Sequence, residues 1–297
     1  MVRSFSIRAL ALFFLLALPG LAWAHDLDSI LEAGVLRHLG IPYANFVTGS
    51  GDGLDVELVQ GFADHLGVDY EFVETDWENA FGDLTGRHAE RDGDVAALLE
   101  ETPIRGDILA NGVTILPWRT HIVEFSTPTF PSGIWLMARA DSPLHPIRPA
   151  GALSKDIVQV RQLIKGVSVL ALENTCLDPG LYRLDQTGAE IRLANRTVQL
   201  NEMAPALLNR EAETTLLDVP DALIALNRWP GGLKVIGPIS EKQQMAAAFR
   251  KTSPDLLAAF NSYFDEIWRD GSYVRMVQRY YPEVFDHYSG FFEASRF

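Results

Sequence analysis

Short apolar runs alternate along the chain with segments whose apolar residues recur every three or four positions. Leu36 to Ile41 predicts a short buried strand. Val56, Val59, Phe62, Ala63 and Leu66 then fall at helical spacing and stop at Gly67, which predicts a helix closed by a glycine. Val68 to Val73 has an apolar residue at every second position and predicts the next strand. Further strand-like runs are Ile108 to Ala110, Ile134 to Ala138, Val167 to Leu172, Thr215 to Leu217 and Leu233 to Ile236, with helical patterns between several of them. This alternation predicts an α/β fold. Near the C-terminus, Leu256, Leu257, Phe260, Phe264, Ile267 and Trp268 form one apolar stripe. Ser253 is placed to cap that helix, Pro254 fits its first position and Gly271 ends it. A second helix is expected from Ser272 to Tyr281, stopping at Pro282. Gly86 to Gly93 crowds polar and charged residues without apolar spacing and reads as a surface loop. Asp141 to Ala150, with three prolines, reads as a connector.

The N-terminal 24 residues have a different organisation. Arg3 and Arg8 precede an apolar run from Ala9 to Leu18, Pro19 and Gly20 break it, and Ala22-Trp23-Ala24 supplies small residues for cleavage before His25. The run is about half the length that a spanning helix needs, roughly 20 residues, and no cysteine follows it to carry a lipid. The expectation is an exported, periplasmic chain whose first 24 residues are removed, not a lipoprotein. Losing two arginines takes the formal charge from −14 to −16. With no basic cluster left, nucleic acid is excluded as a partner, because neutralising phosphates needs a basic face. One cysteine, Cys176, excludes an intrachain disulfide and cysteine-rich metal sites. At 297 residues the chain has room for about two domains.

No reaction centre stands out. The histidines, His88 and His121 among them, lack metal-binding spacing, and no phosphate-binding glycine loop or nucleophile elbow occurs. Asp52-Gly53-Leu54-Asp55-Val56-Glu57 lacks the spacing of a calcium loop and reads as a loop entering a helix, with acids at its positive end. Cys176 has no base near it in sequence and reads as a small buried side chain.

Three segments, in order, carry a resemblance. The first is Gly53 to Leu58 followed by Phe62-Ala63 and Leu66. The second runs from Asp107 through Asn111-Gly112-Val113-Thr114 to Arg119, then Val123-Glu124-Phe125-Ser126-Thr127-Pro128. The third runs from Phe260-Asn261 through Asp270-Gly271-Ser272-Tyr273 to Tyr280-Tyr281. Together they resemble the periplasmic solute-binding proteins of family 3, the polar amino-acid receptors of ABC importers. The resemblance implies a two-lobed, type II periplasmic-binding-protein-like α/β fold, each lobe a mixed sheet flanked by helices, with two hinge strands. Lobe 1 would combine residues 25–138 and 240–297, and lobe 2 would span 139–239. It further implies a monomer that captures a small amino-acid-like ligand, hands it to an inner-membrane ABC permease, and uses no cofactor, metal or catalytic group.

Site residues follow from the same resemblance. Arg119 falls where an arginine pairs with the ligand carboxylate, a role its planar fork of donors suits; a surface arginine is the alternative. Thr114 would offer its hydroxyl and N–H to that carboxylate, and Gly112 its carbonyl to the ligand amine. Asn174 and Thr175 stand at a second donor step, where Asn replaces the usual Gly. Asp218 would hold the ligand ammonium, although a helix cap explains an acid there equally well. Tyr43 and Trp77 would wall the ligand side chain or belong to the core.

A narrower similarity links Asn227-Arg228-Trp229-Pro230 and Arg279-Tyr280-Tyr281-Pro282 to the non-catalytic binding domain of membrane-bound lytic transglycosylase F, whose chemistry resides in a further domain with a Glu-Ser motif. This sequence holds no Glu-Ser pair. That relationship implies a cell-wall fragment as ligand, in a stand-alone binding or sensory domain. An enzyme with an unrecognised site is the reading from another class.

Overall fold

The computed structural model describes residues 26–195 and 198–293. The N-terminal segment and its cleavage site before His25 lie outside the described residues.

Two five-stranded sheets organise the chain. In the first, strands run in the order Asp69–Glu74, Val35–Gly40, Ile108–Leu109, Ala248–Arg250 and Val123–Phe125. The first three are parallel and the last two join antiparallel. The second sheet is ordered Glu190–Leu193, Ser168–Ala171, Thr214–Asp218, Ile134–Arg139 and Leu233–Pro238, and is likewise mixed. A two-stranded ribbon, Phe130–Ser132 against Gln243–Met245, lies where the chain passes between the sheets and back. Among the described residues no helix is long and apolar enough to cross a membrane.

The helix Leu54–Leu66 shows how sequence signals set this frame. It joins the parallel strands Val35–Gly40 and Asp69–Glu74 as a crossover. Gly67 ends it in the left-handed conformation, with its N–H returned to the last turn. At its start Gly53 is required sterically, since a Cβ there would lie 2.2 Å from the Phe46 carbonyl oxygen. The expected loop-to-helix transition at Asp52 to Glu57 therefore forms, with Asp55 and Glu57 in the first turn.

The C-terminal helices Pro254–Arg269 and Ser272–Tyr280 form as their apolar spacing predicts. Ser253 occupies the cap position of the first, yet its side chain makes no cap hydrogen bond. Asp26 does so from far away in sequence, accepting from the Leu256 N–H at 2.9 Å while also accepting from Leu27 at 2.8 Å. One carboxylate thus caps two helix starts. The following Tyr280 and Tyr281 pin the loop after the first strand: Asn45 donates to the Tyr281 hydroxyl and the Tyr280 carbonyl, each at 2.8 Å.

Two expectations need correction. The segment Gly86 to Gly93 is not a loop: Arg87–Asp92 pairs antiparallel with Val95–Glu101 as a hairpin outside both large sheets. Gly93 opens its two-residue turn with φ +64°. Neither strand has a fully buried face, so the apolar alternation that marks a half-buried strand is missing. The strand Ile134–Arg139, counted with the first lobe by a boundary at 138, lies inside the second sheet between Thr214–Asp218 and Leu233–Pro238. Its apolar run looks like any buried strand, and nothing local says which sheet it joins.

Candidate ligand cleft

Between the sheets lies a seam, and Arg119 is its most unusual occupant. Pro117 starts a single helical turn, Pro117–Thr120, which turns Arg119 inward to 1% exposure. Its guanidinium stacks against Trp77 and Phe81, each 5.2 Å from the ring centre, and against Trp118 at 5.4 Å. Nη1 donates to the Thr114 carbonyl at 2.9 Å, while Nε and Nη2 have no hydrogen-bond partner among the described residues. Burial pulls its pKa down to about 10, so it stays charged at neutral pH. A buried cation with unused donors is costly, and an anion reaching Nε and Nη2 would relieve that cost.

The adjoining loop is tied to the helix Leu54–Leu66. Asp55, buried in its first turn, accepts from the Gly112 N–H at 2.7 Å, and burial raises the Asp55 pKa to about 7. Gly112 takes φ +68°, and a Cβ there would come within 2.5 Å of the Phe46 ring. Thr114 is buried and bridges to Met245 of the connecting ribbon.

On the second-sheet side, the loop after Ser168–Ala171 carries Asn174 and Thr175. Asn174 adopts φ +60°, the left-handed conformation for which glycine is the usual choice and which asparagine tolerates best among the others. Replacement of Gly by Asn therefore leaves the turn intact. The Thr175 hydroxyl is spent within the loop, donating to the Leu172 carbonyl at 2.8 Å and accepting from the Leu177 N–H at 3.0 Å. Asp218 ends the strand Thr214–Asp218 and caps the helix Val219–Arg228, accepting from the Asp221 N–H at 3.1 Å. Its second oxygen accepts from the Tyr43 hydroxyl across the seam, with the Cys176 sulfur at 3.6 Å. Burial is the main force raising the Asp218 pKa. Tyr43 is buried, as is Cys176.

A cavity of about 330 Å³ opens beside this seam. Trp77, Asn174 and Thr175 stand on its wall, with Trp118 and the hairpin residues His88 and Glu90. Arg119, Thr114, Gly112, Tyr43 and Asp218 are not on that wall; they fill the seam, with Arg119 stacked on two of the wall's tryptophans. The sequence reading missed Trp118, although it sits beside Arg119, and it missed the whole hairpin. Asn111 was missed as well: it is fully buried, and neither end of its side-chain amide has a hydrogen-bond partner. The Gly93-Asp94 turn, followed by the mostly apolar stretch from Val95 to Leu99, was the available signal for the hairpin.

Two mixed sheets with a polar seam, a cavity and a buried arginine between them define a cleft-type binding fold of the type II periplasmic kind. The family model for bacterial extracellular solute-binding proteins, family 3, matches residues 96–283. The chain belongs to that family. It is 28% identical over 238 residues to a membrane-bound lytic murein transglycosylase F from Desulfosudis oleivorans, a match covering 78% of this chain and 44% of that protein. The chain thus spans less than half the length of that relative. It is 25% identical over 239 residues to the L-cystine-binding protein TcyJ of Escherichia coli, covering 77% of this chain and 74% of that one. Among solved structures, a variant of ArgBP from T. maritima superposes with a TM-score of 0.67 at 22% identity, covering 86% of this chain and 98% of that chain. An ancestral amino acid-binding protein described as a precursor of cyclohexadienyl dehydratase gives a TM-score of 0.63 at 22% identity, covering 86% of this chain and 98% of that one. These structural likenesses concern the fold.

Proposed function

We propose that this chain is a periplasmic solute-binding protein that captures an amino acid or similar small zwitterion between two lobes and presents it to an ABC permease. The carrying observation is the Arg119 guanidinium, buried and still charged, with Nε and Nη2 unpartnered. In this reading Arg119 takes the ligand carboxylate, with the Thr114 hydroxyl and the Thr175 N–H beside it, and the Asn174 N–H joins them only on leaving Asp178. The Gly112 carbonyl faces the ligand amine, and Trp77 and Tyr43 flank the side chain. In this reading the ammonium competes with Tyr43 for the Asp218 oxygen that faces the seam. The lobes divide at the ribbon Phe130–Ser132 and Gln243–Met245, which acts as the hinge. Ligand then favours the shut form because only there do both lobes touch it.

A second reading, a cell-wall peptide fragment as ligand, is favoured by the similarity to a murein transglycosylase and by a cavity that extends from the tryptophans to the hairpin. Mass spectrometry of the compound that co-purifies with the native protein separates the two. A free amino acid supports the first reading, a muropeptide the second. Turnover of peptidoglycan by the purified chain would contradict both.

A further inference from the structure

The hairpin Arg87–Glu101 belongs to neither five-stranded sheet. In sequence it is carried by the first, between the helix Ala80–Thr85 and the strand Ile108–Leu109. In space it grips the second. Arg91 gives Asp178 two parallel hydrogen bonds, Nη2 to Oδ1 at 2.9 Å and Nε to Oδ2 at 3.0 Å. Its backbone N–H donates to the Asn174 side-chain oxygen at 3.2 Å. The pair is shielded, with side-chain exposures of 16% and 7%. Asp178 also shapes the loop that it anchors, accepting from the Asn174 N–H at 3.1 Å and the Gly180 N–H at 2.8 Å. Gly180 makes room for this approach, since a Cβ there would lie 2.4 Å from Arg91 Nη2. His88, Ala89 and Glu90 of the hairpin wall the same cavity as Glu173, Asn174 and Thr175.

We propose that the hairpin is a closing arm of the cleft, and that the Arg91–Asp178 pair is the latch holding it shut against the second-sheet loop. The arm's part in ligand capture rests on the binding-protein reading above; the latch itself does not. The geometry demands a planar fork, because a lysine cannot make both bonds at once. Breaking the pair therefore shifts the open–shut equilibrium of the seam without touching Arg119 or Asp218.

Cys176 reports on that equilibrium. Its thiol is 3% exposed and lies against Asp218 in the seam, so a thiol reagent reaches it only when the seam opens. The charged groups acting on the thiol are Asp218 and Arg119, and neither is changed in the test. The test is the rate of Cys176 alkylation by iodoacetamide in the full chain at fixed pH, with no amino acid added, for wild type, Arg91→Gln and Arg91→Lys. Arg91→Gln is expected to raise the rate at least tenfold, and Arg91→Lys by less. Hydrogen exchange in the helix Pro254–Arg269 should stay unchanged in both. Rates within twofold of wild type in both variants would overturn the latch. So would a rise matched by equal loss of protection in that helix, because the seam would then open only by global unfolding. Loss of ligand binding on changing Arg119 bears on the ligand reading alone.

Discussion

Two arginines are buried almost equally, Arg250 at 3% exposure and Arg119 at 1%, yet their surroundings differ in kind. Arg250 ends the strand Ala248–Arg250 and faces Asp107 at 3.3 Å, with the carbonyls of Leu84 and Gly106 also accepting from it, at 3.1 and 2.5 Å. Asp107 is shared with Arg37, 3.2 Å away. Burial lowers the Arg250 pKa and Asp107 opposes the shift. Around Arg119 burial also lowers the pKa, and among the described residues no carboxylate forms an ion pair with it. The first is a cation whose counter-ion comes from its own sheet. The second is held by aromatic faces and one carbonyl, with donors left over. A counter-ion at one buried arginine and none at the other, beside a cavity, is what supports the proposed role of Arg119 in holding an external anion.

The comparison is broken most severely by exchanging the stability roles. Removing one partner of a buried pair leaves an uncompensated charge and costs about 3–5 kcal/mol. Arg250→Ala should lose an amount of that order in urea unfolding. Arg119→Leu removes a buried cation that has no counter-ion among the described residues and should cost much less. Equal destabilisation by both changes would show that Arg119 is a structural residue.

A third way of burying a titratable group sharpens the contrast. His38, in the strand Val35–Gly40 of the same sheet, contacts the Ala110 carbonyl at 2.6 Å through Nε2 and the Tyr70 hydroxyl at 2.8 Å through Nδ1. Burial pulls its pKa from 6.5 down to about 4. The unfolded chain then binds the proton more readily than the folded one between those values. Stability is fully present above pH 6.5 and is lost as the pH falls toward 4. The loss approaches ~3 kcal/mol at about 1.4 kcal/mol per pH unit. Burial pushes Asp55 and Asp218 the other way, so their contributions run opposite. The difference between wild type and His38→Gln isolates the histidine. A pH-independent difference would mean that His38 binds protons equally in the folded and unfolded chain, without the lowering that burial imposes.

The smallest effect is expected at Asp218. As a helix cap it contributes about 0.5–2 kcal/mol, which Asp218→Ala should remove in thermal unfolding. Loss of ligand binding with no change in stability would instead make Asp218 a ligand group first.

Much of this was legible in the sequence, for definite reasons. Buried strands and amphipathic helices write their period into the chain, so Leu54–Leu66 and Pro254–Arg269 could be placed within a residue or two. Gly53 and Gly112 are forced by close backbone approach to Phe46, and both stand in segments that carry the family resemblance. Asp218 was legible as an acid at a strand end, but its bond to Tyr43 spans 175 residues and no local pattern records it. The cap from Asp26 to the helix Pro254–Arg269 is invisible for the same reason. The hairpin escaped notice because Arg87–Asp92 is polar and neither strand has a fully buried face, and the latch from Arg91 to Asp178 went with it. Local periodicity reports what a segment buries, and these features depend on which distant segment comes to meet it.

The central claim, that Arg119 waits for the carboxylate of a ligand, is tested most directly by calorimetric titration of the co-purifying compound into wild type and Arg119→Ala. Truncating one partner of a buried, charge-assisted pair costs about 2–5 kcal/mol, so affinity should fall by roughly 30- to 3,000-fold. Binding within about threefold of wild type, less than ~1 kcal/mol, would contradict the claim and move the site away from the seam.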